Sequence, residues 1–172
     1  MKLYLSIIFL IININIINAQ KIQRVDNVPE FTFWDDCGSI YKLGYTYQQV
    51  HNFEVGYGYG MVLNGDFVPK LLVSPYLAIN YIPQTNAAIW GQKMGIEFDV
   101  YFISSKVSVS RYSQNNKTQF IFTPEIGLSL FTMLNLTYGH NFSLSNYSFN
   151  QISSNQISIG INLSKRMSFY GR

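Results

Sequence analysis

The chain has 172 residues, of which 48% are hydrophobic and 16% aromatic but only 12% charged. That is about half the charge usual for a soluble domain, which excludes a protein whose whole exterior faces water. Twelve Lys and Arg against nine Asp and Glu give +3, and with Lys165-Arg166 the single adjacent basic pair there is no basic patch for nucleic acid.

In chain order, Lys2 precedes an apolar run from Leu3 to Ile17, broken by Ser6, Asn13 and Asn15, and then Asn18-Ala19-Gln20. A leading charge, a short apolar stretch and a small residue before the cut read as a secretory signal peptide over 1–19. The rival, an uncleaved anchor helix, is poorly served by so short and asparagine-spotted a run. Cleavage after Ala19 leaves 153 residues, enough for one domain, with a net charge of +2. Residues 20–38 then form a periplasmic lead segment or partial plug. Cys37 is the single cysteine, so no internal disulfide holds the fold.

Past the lead, apolar and small or polar residues alternate in eight segments, the period of a strand with one greasy face. The first spans Ile40 to Gln48, with Tyr41, Leu43, Tyr45 and Tyr47 on one parity. The second, Phe53 to Leu63, is the clearest: every odd position is apolar or aromatic, and Gly56, Gly58 and Gly60 stand between them. The third carries Val73, Pro75, Leu77, Ile79 and Tyr81, and the fourth Trp90, Met94, Ile96, Phe98, Val100 and Phe102. The fifth, Lys106 to Tyr112, is short, with Val107 and Val109. Phe120 to Leu130, Leu134 to Leu144 and Ile157 to Leu163 complete the series.

Turn-type residues fill Gln48 to Asn52, Asn64-Gly65-Asp66, Pro83 to Asn86, Gln114 to Lys117 and Ser145 to Asn155. Tight connections are expected near Ile103-Ser104-Ser105 and Thr132-Met133. Connections this short allow only antiparallel neighbours. The sequence therefore predicts an all-β fold, an eight-stranded antiparallel up-and-down transmembrane β-barrel over 39–172.

The second face tells which way the barrel turns. It gathers Lys42, Glu54, Lys93, Glu97, Asp99, Lys106 and Glu125 with nine glycines. Glycines cover nothing and weaken an exposed strand, whereas inside a narrow barrel they leave room for long neighbours. These seven charges are expected to form a lumen network, with Glu54 available to Lys42 across the first hairpin. Tyr41, Tyr47, Tyr57, Tyr59, Tyr81, Trp90 and Tyr138 lie on the apolar face and are expected at a membrane interface, where amphipathic rings gather.

A leader ending at Ala19-Gln20, then eight alternating segments with Gly56-Tyr57-Gly58-Tyr59-Gly60 in the second, resembles the small eight-stranded outer-membrane β-barrel proteins of Gram-negative bacteria, the broad OmpA/OmpX/OmpW-like group. The resemblance runs from about Ser39 onward and rests on patterning. It implies an outer-membrane location, outer-membrane lipid as surroundings, delivery by the barrel-insertion machinery, a monomer and no cofactor. Many such barrels end on an aromatic residue; here Phe169 or Tyr170 would serve, ahead of Gly171-Arg172. An even strand count puts both termini on the periplasmic side and the Ser145 to Asn155 loop outside.

Few residues suggest chemistry. His140 with Ser143 and Ser145 invites comparison with lipid-modifying barrel enzymes, but three residues along a strand put the hydroxyl and imidazole on opposite faces. His140 shares its parity with Tyr138 and Phe142, which suits an interfacial polar residue, and His51 has no evident partner. Glu97 and Asp99 suit lumen ion pairs better than a catalytic or metal-binding pair. No catalytic or metal-binding residue is assigned. The expected role is structural, or binding of a ligand or partner, without a wide pore. A lipid-modifying enzyme and a secreted soluble barrel holding an apolar ligand remain the alternatives.

Overall fold

The computed structural model describes residues 37–64, 69–84 and 87–167. The leader, the lead segment up to residue 36, Gly65-Asp66 and the Phe169-Tyr170 pair lie outside the described residues. Within them the chain is all strand and connection: β1 Cys37–Tyr47, β2 His51–Asn64, β3 Pro69–Ile82, β4 Ile89–Val100, β5 Ile103–Gln114, β6 Lys117–Leu130, β7 Leu134–His140, β8 Phe142–Ser143 and β9 Asn155–Leu163.

From β1 to β7 each strand pairs antiparallel with the next, and β9 closes the ring by pairing with both β7 and β1. β7 and β8 are one stave, because both pair with β6 in the same register on either side of Asn141. Nine segments thus make an eight-stranded up-and-down barrel. Crossing the pairs from Cys37 through Met61, Val73, Phe98, Ser105, Ile126, Tyr138 and Ile157 returns to β1 at Tyr47, ten residues from the start. A stagger of that size tilts the strands by roughly 35–45° and leaves a bore that side chains fill.

Local chemistry shapes the ends. Between β5 and β6 only Asn115 and Asn116 intervene, with φ of 47° and 64°. Both adopt the left-handed region that a two-residue hairpin turn requires and that Asn tolerates. The opposite end differs from the sequence expectation. The tight connection is Tyr101-Phe102, not Ile103-Ser104-Ser105, so β5 begins at Ile103 and is far longer than the segment from Lys106. Ser104 resembled a turn residue because it is small and polar; it is polar because it faces the lumen, fully buried. β1 opens at Cys37, which makes Cys37 and Gly38 strand residues and not lead.

Inside, the barrel has three layers. At the end bearing the β1–β2, β3–β4, β5–β6 and β8–β9 connections, Ile82, Ile89, Tyr112, Ile121 and Phe149 form an apolar cluster. At the terminal end Ile40, Val62 and Leu72 form another, with Met167 against it. Polar and charged side chains occupy the middle.

Large lumen side chains lie over glycines on neighbouring strands. A Cβ on Gly91 would stand 2.7 Å from the Tyr112 ring, and one on Gly139 2.8 Å from Cγ of Glu125. The Tyr112 ring has no freedom to retreat, since its hydroxyl accepts hydrogen bonds from Asn80 at 3.0 Å and Asn52 at 3.4 Å. A Cβ on Gly160 would come no nearer than 3.3 Å to a neighbour, there the far end of the Lys106 side chain. Gly91→Ala is therefore expected to cost about 1–3 kcal/mol as an overpacked site, and Gly160→Ala well under that. Urea midpoints of the two variants in detergent test the difference, and equal midpoints would refute it.

Candidate functional site

The lumen is where the sequence placed its charged residues, and all seven enter it. Glu97 on β4 is fully buried and sits at the centre. Its Oε2 pairs with the Lys42 ammonium from β1, while Oε1 accepts from Lys106 of β5 at 3.1 Å. Asn135 of β7 and Asn162 of β9 donate to the same Oε1 at 2.6 and 3.0 Å. One carboxylate thus ties four other strands together. Lys42 also donates to Oδ1 of Asn162 at 3.0 Å and lies 4.8 Å over the Tyr76 ring.

Asp99, two residues along the same face, receives the amides of Asn135 at 2.9 Å and Asn162 at 3.4 Å on Oδ2. Glu97 and Asp99 are therefore bridged by shared amides, an arrangement that braces the lumen. Nearer the loop end, Lys93 donates to Glu54 at 2.9 Å and to Glu125 at 3.5 Å, and Glu125 takes the Thr137 hydroxyl at 2.7 Å. Glu54 belongs to Lys93, then, and not to Lys42 as the first hairpin suggested. In the β1–β2 register Lys42 faces Gly56 and Glu54 faces Gly44, so the two charges are offset and each reaches across the bore. Asn135, Asn162, Thr137 and Tyr76 were missed as members of this network. Their signal was present, since each shares its segment's inward parity, but neutral side chains do not announce a partner.

The seven predicted interfacial aromatics all lie on the outer face and are exposed. Tyr81 and Trp90 pack at 4.9 Å near the loop end, and the Tyr138 hydroxyl donates to Asn155 there at 2.9 Å. Tyr47 stands at the β1–β2 turn opposite His51. Tyr41 and Tyr59 lie toward the terminal end, and Tyr57 reaches that way, its hydroxyl 2.9 Å from Ser39 Oγ. The sequence missed Tyr101, Phe102 and Phe131, which complete the terminal rim from within turns; Phe102 contacts Phe131 at 5.9 Å.

His140 is exposed, with Nδ1 2.8 Å from Oδ1 of Asn155 and its ring edge-on to Phe142 at 4.6 Å. Ser143 instead donates to the Ser145 carbonyl at 3.1 Å, so the structure does not bring imidazole and hydroxyl together. His51 does have a partner, the Tyr45 hydroxyl at 2.6 Å.

The long connection over 144–154 folds across the barrel mouth. Phe149 is buried in the loop-end cluster, and its backbone N–H donates to Gln119 Oε1 at 2.7 Å. Asn141, where the seventh stave is interrupted, anchors this strap: its amide donates to Gln48, Gln156 and the Ser153 carbonyl at 3.1, 3.2 and 2.8 Å. Comparison with protein-family models, curated proteins and solved structures returns no match. The reading of this site therefore rests on its own geometry.

Removing one partner from a buried ion pair strands the other, at a cost of about 3–5 kcal/mol. Glu97→Gln leaves both Lys42 and Lys106 without their carboxylate, whereas Glu54→Gln leaves Lys93 with Glu125. The expected loss in unfolding free energy is about twice as large for Glu97→Gln, read as the shift in urea midpoint. A larger effect from Glu54→Gln would overturn this hierarchy.

Proposed function

We propose that the chain is a small outer-membrane β-barrel protein with a structural or partner-binding role, closed to the free passage of solutes. The observation that carries this reading is the inversion of the usual distribution of polarity. Val55, Leu77, Ile126 and Leu128 are 63–67% exposed, and comparable apolar side chains cover every stave. Seven charged side chains occupy the interior. A barrel sheltered in hydrocarbon satisfies every backbone group within its closed sheet, gains nothing by hiding apolar side chains, and keeps its charges off the lipid face.

Two rims of amphipathic rings, separated by a band of Leu, Ile, Val and Met, match the two interfaces of a bilayer. A soluble barrel holding an apolar ligand would need the reverse, an apolar lumen inside a polar coat. The lumen here is filled by ion pairs, stopped by an apolar cluster at each end and strapped by Phe149, which supports a sealed role over a pore.

The chain is expected in the membrane fraction, extracted only by detergent, and migrating faster on gels unboiled than boiled. Recovery in the soluble fraction without detergent would sink the membrane reading. In planar bilayers the purified chain is expected to leave conductance at background; regular current steps would refute the sealed lumen.

A further inference from the structure

Resting on the membrane reading above, the geometry points to a binding site for a phosphate-bearing anionic lipid on the outer face of β3–β6, its headgroup held by Arg111 and Lys117. Among the described residues all four carboxylate side chains, Glu54, Glu97, Asp99 and Glu125, are in the lumen. Outside it the described residues carry Lys70, Arg111, Lys117, Lys165 and Arg166 and no acid. Among the described residues the exterior is therefore of one sign.

Four of those five cations stand at strand ends or beyond them, but Arg111 stands within β5, on the apolar face. Across the sheet it is flanked directly by Gln92 on one side and Phe120 on the other. No hydrogen bond or ion pair engages its guanidinium among the described residues. An arginine facing lipid without a partner is costly unless something supplies one, and a phosphate at headgroup level matches its planar, two-pronged donor geometry.

Two surface recesses meet at this residue, and a third continues the second. The first, at the loop end, is lined by Arg111 and Lys117 together with Trp90, Ser113 and the Asn115-Asn116 turn, a polar pocket with two cations. The second begins at Arg111 and Gln92 and runs down between Ile79, Met94, Val109 and Phe120. The third shares Tyr57, Leu77, Met94 and Val109 with the second and continues past Ile96 and Val107 toward the terminal end. A cationic head above a continuous apolar trough has the shape and polarity of one lipid molecule, phosphate at the rim and an acyl chain along the strands. A soluble anion would use the first recess and leave the trough without a purpose.

Trp90 lines the headgroup recess and reports on its occupant. In the full chain with Trp34→Phe, so that Trp90 is the single tryptophan, reconstitution into phosphatidylcholine vesicles would include a minor fraction of bromine-labelled phosphatidylglycerol or bromine-labelled phosphatidylcholine. Each basic residue near a membrane surface contributes about 1 kcal/mol toward anionic lipid. With two such residues the labelled phosphatidylglycerol is therefore expected to quench Trp90 at about thirtyfold lower mole fraction. Arg111→Gln with Lys117→Gln should abolish that preference, and Arg111→Gln alone should reduce it to about fivefold. Lys165→Gln with Arg166→Gln, at the opposite end of the barrel, should leave it intact.

Equal quenching by the two lipids in the parent chain would overturn the site, as would a preference that survives loss of both Arg111 and Lys117 or disappears with Lys165 and Arg166. Those outcomes leave the membrane reading standing. Failure of the chain to float with vesicles of either lipid would instead overturn the membrane reading and the site with it.

Discussion

The width of the bore governs this molecule. Eight strands closed at a stagger of ten residues enclose a space that side chains must fill to ordinary packing density, with no room for a hydrophobic core of the usual kind. Each long side chain pointing inward needs a gap on a neighbouring strand. Tyr112 over Gly91, Glu54 over Gly44 and Glu125 over Gly139 are three instances of that fit. Because these gaps lie on strands adjacent in the sheet, the glycines and the bulky residues form one set across the barrel, and a change at one strand is felt at the next.

Charge in such a space must be neutralised where it stands. Glu97 meets that demand for two lysines at once, with two amides filling its remaining hydrogen-bonding capacity, and it does so from a fully buried position. Charge-assisted hydrogen bonds of this kind strengthen when water is excluded. The apolar clusters at either end of the lumen perform that exclusion, and the strap carrying Phe149 closes the loop-end mouth. Seal and network depend on each other: the clusters keep the ion pairs dry, and the ion pairs hold the strands whose ends carry the clusters.

The outer face follows from the same closure. With the strands paired around the ring, the exterior offers a belt of apolar side chains between two rims of aromatic ones. The loop-end rim is built from strand residues such as Tyr47, Tyr81 and Trp90, and the terminal rim largely from turns, where Tyr101 and Phe131 adopt positive φ of 48° and 53°. Bulky residues rarely accept that conformation. Their rings lie at the rim all the same, where Phe131 contacts Phe102 and Tyr101 stacks on it.

How much of this was legible beforehand depended on the range of the interaction. Alternation identifies a strand locally, so Phe53 to Leu63 declared its two faces without reference to any other residue, and the seven lumen charges and seven outer aromatics could be assigned from parity alone. Turn chemistry was less readable: Ser104 looked like a turn because inward polarity and turn polarity are indistinguishable in one dimension. Pairing was not readable at all. Glu54 stands close to Lys42 in the chain yet binds Lys93, because the register offsets the first two and the bore brings the third within reach. The sequence by itself determined the strand count, the inward and outward sets and the architecture, since side-chain direction in a strand depends only on position. The tertiary structure alone decided which charges meet, that Asn135 and Asn162 join them, and that the longest loop folds inward, because those contacts span the bore and exist only once the ring has closed.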